Sequence, residues 1–167
     1  VWDRQFGERV GIYRLLDIFE QEGIATTFWF NGINVERFPD LAREMEALGH
    51  EIACEHWVHD YAFMKSEEEE RQSIRKTVQA FQRVLKHHPH GYLSTGIQPA
   101  EVIPKLLVEE GFRYRVDPQN EDLPYTLKVA GRKLAPYCRA PSRIGPGPIA
   151  TKPGRFRFSL PNPYVTQ

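Results

Sequence analysis

The chain has 167 residues, 41% hydrophobic and 26% charged, the composition of about one ordinary globular domain and not of a disordered or fibrous chain. Lys plus Arg and Asp plus Glu each number 22, so the formal net charge is zero and no chain-wide field recruits nucleic acid or an anionic membrane. No apolar run approaches the roughly 20 residues needed to span a bilayer.

Val10, Leu15, Leu16 and Phe19 recur at helical spacing before Gly23, which predicts a first helix with a left-handed glycine cap. Residues 25–30 (Ala-Thr-Thr-Phe-Trp-Phe) are rich in β-branched and aromatic side chains and predict a buried strand, broken by Asn31-Gly32. Leu41, Met45 and Leu48 define a second helix ending at Gly49, and Glu51 to Cys54 a second strand. Ser66 with Glu69 forms a capping box before a third helix carrying Ile74, Val78, Phe81 and Leu85, stopped by His87-His88-Pro89.

A strand at Gly91 to Ser94, a helix through Val102, Leu106 and Leu107 capped by Gly111, and a strand at Phe112 to Val116 continue the pattern. Residues 127–134, around Ala130-Gly131, suit a hairpin. Strand and helix thus alternate through short turns, which predicts an α/β fold of parallel β/α layers with ligands gathered at the carboxyl ends of the strands. Chemistry is therefore expected in the loops after Phe30, Cys54, Ser94 and Val116.

After Asp122 the chain holds no acidic residue, while eight Lys and Arg follow, and seven of the 13 prolines lie from Pro136 onward. The reading is a β/α domain over 1–134 and a Pro/Arg/Gly-rich, loosely ordered tail over 135–167. That tail lacks the aromatic interleaving of a nucleic-acid platform. Cys54 and Cys138 are expected to be free thiols. The chain opens Val1-Trp2-Asp3 without an initiator Met, so it is expected to be a piece of a longer protein, itself soluble and cytoplasmic, with room for a leader upstream.

The densest set of chemical groups is Glu55-His56-Trp57-Val58-His59-Asp60, directly after the Cys54 strand. A helical turn there aims Glu55 and His59, at i and i+4, the same way, and carboxylate plus imidazole is a partial shell for Zn²⁺ or a similar divalent ion; His56 with His59 is the alternative pair. Two ligands remain one short of the three protein ligands of a catalytic site. His50 and Glu51 sit at the opposite end of the strand and read as structural. His87, His88 and His90 fall at a helix C-terminus, where imidazoles bond free carbonyls. Asp117, Glu121 and Asp122 follow the last clear strand, and the Glu67 to Glu70 run reads as acid at a helix N-terminus.

The stretch Gly49-His50-Glu51-Ile52-Ala53-Cys54 with its His-containing loop resembles the second signature of the polysaccharide deacetylase superfamily, in which two histidines four apart ligate the metal. Phe28 to Gly32, Phe38-Pro39-Asp40-Leu41, Gly91 to Gly96, and Glu109 to Phe112 with Asp122 to Tyr125 extend the likeness over about residues 6 to 130, the latter two especially to the allantoinase-like branch. The resemblance implies an incomplete, partial parallel β/α barrel, truncated at both ends, and a parent hydrolase acting on carbon-nitrogen bonds by metal-assisted water attack. It also implies a divalent metal, zinc by preference, and a small amide, ureide or N-acetylated sugar as substrate.

At the place of the family's first metal-binding histidine stands Glu55, with His56 displaced by one, while His59 keeps the second place. The implied metal set is Glu55 and His59 with His56 as alternate. The implied substrate-contacting set is Asn31, Trp57, Tyr92, Ser94, Asp117 and Asp122. Leu93 occupies the place of an arginine found in the polymer-cleaving members, which argues against an ordinary sugar-polymer deacetylase. The paired aspartates that supply a ligand and the base should precede residue 1, and the late Leu-x-His signature is missing, so little activity is expected of this segment alone. The rival reading is a non-catalytic ligand-binding module that keeps the scaffold and an aromatic cleft from Trp29, Trp57 and Tyr92.

Overall fold

The computed structural model describes residues 6–117 and 125–136. A π-helical turn, Gly7–Gly11, runs into α1 (Ile12–Glu22), which Gly23 closes at φ 63 by donating its N–H to the carbonyls of Glu20 and Phe19. The expected stripe is only partly buried: Leu16 is 2% exposed, whereas Val10 and Leu15 are 39% and 46% exposed. Leu15 and Leu16 are 100° apart on the helix and cannot share a face. The helix docks through Ile12, Leu16 and Phe19 at i, i+4 and i+7, and the Phe19 ring lies 6.1 Å from that of Phe28.

Strand β1 (Thr27–Phe30) pairs in parallel with β2 (Glu51–Cys54), Thr27 opposite Glu51 and Phe30 opposite Cys54. Asn31-Gly32 does more than break β1. It starts α2 (Gly32–Arg37), because the amides of Gly32 and Ile33, which a helix leaves without internal partners, donate to the carbonyls of His56 and Trp57 at 2.9 and 3.0 Å. Helix α3 (Pro39–Ala47) buries Leu41 and Met45 and leaves Leu48 38% exposed beyond its end.

Helix α4 (Glu67–Val84) begins at the expected capping box: the Glu69 N–H donates to Ser66 Oγ at 3.3 Å, and Glu69 Oε2 accepts from the Ser66 N–H at 2.8 Å. Its inner face buries Ile74, Val78 and Phe81, and Leu85 completes the stripe just past its end. Removing a fully buried side chain such as Phe81, 0% exposed, costs about 3–5 kcal/mol. Strand β3 (Gly91–Tyr92), helix α5 (Ile103–Glu110) with its cap Gly111 at φ 89, and β4 (Tyr114–Arg115) follow. The last two strands, β5 (Leu127–Val129) and β6 (Arg132–Pro136), form the expected hairpin around Ala130 and Gly131 at φ 49 and 77.

The sheet order is β1-β2-β3-β4-β6-β5. All neighbours are parallel except the β5–β6 hairpin at the edge, and β6 pairs in parallel with β4, a pairing that the local hairpin signal did not foresee. This is the α/β parallel layering expected. β6 runs to Pro136, two residues past the expected domain limit at 134. Glu121, Asp122, Cys138 and the expected tail from 137 lie outside the described residues. Among the described residues Cys54 is a free, buried thiol, and no helix is long and apolar enough to cross a membrane.

Candidate functional site

The carboxyl ends of β1 to β4 are tied together one residue beyond each ladder. Glu55 N–H donates to the Phe30 carbonyl, Leu93 N–H to Cys54, and Val116 N–H to Tyr92, at 3.0, 2.9 and 3.0 Å. The loops leaving these strands therefore share one end of the sheet, as parallel topology requires. Asn31 at the start of α2 does not cap its own helix; its Nδ2 donates to the Glu55 carbonyl. Gly32 is needed where it stands, because an added Cβ would lie 2.8 Å from the Trp57 ring and 3.0 Å from the Thr77 backbone.

On the outer side of the β2 loop, Glu55 Oε1 and His59 Nδ1 are 3.2 Å apart, the Glu55 side chain 15% and the His59 side chain 65% exposed. Burial pushes the Glu55 carboxyl above its ordinary value, opposed by the charges of His59 and His56. These are donors suited to a divalent ion. The fit is partial: among the described residues no third His, Cys, Asp or Glu completes a group around them.

On the inner side, His56 takes a different course from its neighbours. Its backbone is left-handed, φ 48, and its ring is 0% exposed. Nε2 lies 2.6 Å from Glu70 Oε1 and 2.5 Å from the Tyr92 hydroxyl, and Nδ1 lies 3.4 Å from the Thr95 amide and 3.3 Å from its hydroxyl. The Thr95 amide only donates, so Nδ1 accepts and Nε2 carries the proton toward Glu70. The Tyr92 hydroxyl also donates to Glu70 Oε1, at 3.2 Å. His56 is thus turned away from the Glu55–His59 pair.

Glu70 is fully buried, with Lys65 Nζ 3.8 Å from its Oε2 and 2.8 Å from Asp60 Oδ2. Burial and the neighbouring Glu70 push the Tyr92 phenol well up. Asp117 accepts the Ser94 amide at 2.5 Å, and burial raises its carboxyl above the usual range. Glu70 Oε2, Asp117 Oδ2 and Ser94 Oγ have no hydrogen-bond partner among the described residues.

Of the implied substrate-contacting residues, Tyr92 and Ser94 are 0% and Asp117 5% exposed, so all three face the interior. Trp57 is half-buried under the Lys76 ammonium, 4.0 Å from the ring centroid. Asn31 serves the loop backbone. His50 is structural: its Nδ1 accepts the Thr26 amide at 3.3 Å, and its ring meets Phe28 edge-on at 5.2 Å. His88 bonds the Glu110 carbonyl at 2.7 Å, and His87 lies 2.5 Å from Glu46.

Sequence reasoning missed Glu70, Lys65 and Thr95. The signal for Glu70 was present, since it lies one helical turn before Ile74 on the buried stripe while Glu67 to Glu69 do not.

The sequence pattern of the family described as polysaccharide deacetylase matches residues 7–114. The chain belongs to the polysaccharide deacetylase family. This is a family of deacetylase hydrolases. A peptidoglycan-N-acetylglucosamine deacetylase of Bacillus cereus is 29% identical over 76 residues, 46% of this chain and 28% of the relative. Two solved structures align with a TM-score of 0.74. One, from Mycobacterium smegmatis and named for the polysaccharide deacetylases, is 30% identical over 85% of this chain and 54% of its own. The other, an allantoinase, is 27% identical over 80% of this chain and 45% of its own. The chain thus spans about a quarter of the curated relative and about half of the solved structures it matches, and its sheet is part of the deacetylase barrel fold.

Proposed function

We propose that this chain is part of a hydrolase that cleaves a carbon-nitrogen bond in an N-acetylated sugar, a small amide or a ureide by metal-assisted water attack. The observation that carries this reading is the 3.2 Å contact between Glu55 and His59 at the carboxyl end of β2. Glu55 and His59 would hold two positions of a divalent ion, zinc by preference, and a third ligand would come from outside the described residues. Bound there, the ion would lower the pKa of water and polarise the scissile carbonyl. His56, with Nε2 given to Glu70, is left out of this ligand set.

Two features bear on the substrate class. Leu93 stands where the family resemblance implies an arginine in the polymer-cleaving members, which weakens the case for a sugar polymer. The allantoinase among the neighbours supports a small cyclic ureide. The test is turnover by the natural protein of an N-acetylglucosamine oligomer against a cyclic ureide, with and without chelator. Chelator-sensitive turnover of either, lost in Glu55→Ala with His59→Ala, is expected; turnover untouched by both changes overturns the reading.

One observation favours a second reading, a non-catalytic ligand-binding module: two donors, and not three, meet among the described residues. Saturable ureide or sugar binding without metal and without turnover would favour it.

A further inference from the structure

We infer that His56 is a positioning residue, whose buried ring holds the loop so that Glu55 and His59 meet. The inference rests on the metal-ligand reading of that pair. His56 stands between the two and shares no face with them: its side chain points inward while theirs stay on the outer side. The backbone turns sharply at residue 56, at φ 48, a conformation in which a non-glycine residue is strained.

What holds it is contact on both nitrogens, by Glu70 and Tyr92 at Nε2 and by Thr95 at Nδ1. The same turn presents three successive carbonyls to the start of α2: Glu55 to Asn31 Nδ2, His56 to the Gly32 amide and Trp57 to the Ile33 amide. The ring is thus the inner anchor and α2 the outer one. Released from the first, the loop loses the left-handed turn at residue 56, and the contact between residues 55 and 59 is lost with it.

Deleting the ring while relieving its consequences isolates this role. In His56→Gly with Glu70→Gln, glycine removes the backbone strain and glutamine removes a carboxylate otherwise buried without its partner. The readout is the nuclear Overhauser cross-peak between the Glu55 γ-methylene and the His59 ring, joined by hydrogen exchange at the Gly32 and Ile33 amides. In the double variant we expect the cross-peak to vanish, those amides to exchange roughly tenfold faster, and zinc affinity to fall about tenfold or more, while the far-UV circular dichroism stays that of a folded chain. A retained cross-peak overturns the inference.

If that variant does not fold, Tyr92→Phe with Thr95→Val removes one hydroxyl from each side of the ring and is read the same way. An undiminished cross-peak there overturns the inference equally. Absence of zinc binding in the wild type would defeat the ligand reading alone, because the cross-peak decides the role of His56 without metal.

Discussion

His56 Nε2 lies 2.6 Å from Glu70 Oε1, and both side chains are 0% exposed. A carboxylate removed from water this completely is stable only while its donors stay in place, and Tyr92 and Lys65 add to the imidazole's contribution.

Glu70→Ala takes the buried carboxylate acceptor from both the His56 N–H and the Tyr92 hydroxyl, which are then left in the interior with only each other, 2.5 Å apart. We expect a loss of about 3 kcal/mol in urea unfolding, with a smaller loss for Glu70→Gln, which keeps an acceptor oxygen. Equal midpoints for Glu70→Ala and the wild type would show that the pair contributes nothing.

Gly32→Ala places a methyl 2.8 Å from the Trp57 ring and from the Thr77 hydroxyl and 3.0 Å from the Thr77 backbone, so something must shift. Overpacking of this kind costs about 1–3 kcal/mol, and because Gly32 also bonds the His56 carbonyl, the loop should move with it. Thermal unfolding measures the first effect, and unchanged stability would mean that α2 shifts freely.

Most of the scaffold was legible because it is local. The capping box at Ser66, the glycine caps at 23 and 111, and the stripe of Ile74, Val78 and Phe81 each depend on residues within a few positions of one another. The β4–β6 pairing was not legible, because it joins segments that only the closed sheet brings together. In the candidate site, the i and i+4 spacing anticipated the Glu55–His59 contact, while the burial of His56 depends on a positive φ that nothing in a histidine announces. Glu70 was hidden inside a run of four acids whose other members face solvent.

Ser66→Ala removes the acceptor of the Glu69 amide, and loss of such a cap costs about 1 kcal/mol. The loss should be read in the equilibrium unfolding midpoint, since the Ser66 side chain is exposed and its carbonyl, which accepts the Glu70 amide at 3.0 Å, is kept in the variant.

Burial holds the His50 imidazole below its ordinary value of 6.5. The unfolded chain therefore takes up this proton first as pH falls, so the stability linked to His50 is complete above about pH 6.5 and declines below it, until the folded-state value is passed. His50→Asn keeps an acceptor for the Thr26 amide and cannot titrate. Its stability should depend less on pH below 6.5 than that of the wild type, and parallel pH profiles would contradict the assignment.

The most direct test of the central claim, that the turn leaving β2 presents an oxygen and a nitrogen to one ion, is zinc binding by residues 1–167 in equilibrium dialysis. The account predicts saturable binding that Glu55→Ala and His59→Ala each weaken and that His59→Ala with Glu55→Ala abolishes. Equal binding by wild type and double variant, or none by the wild type, would contradict it.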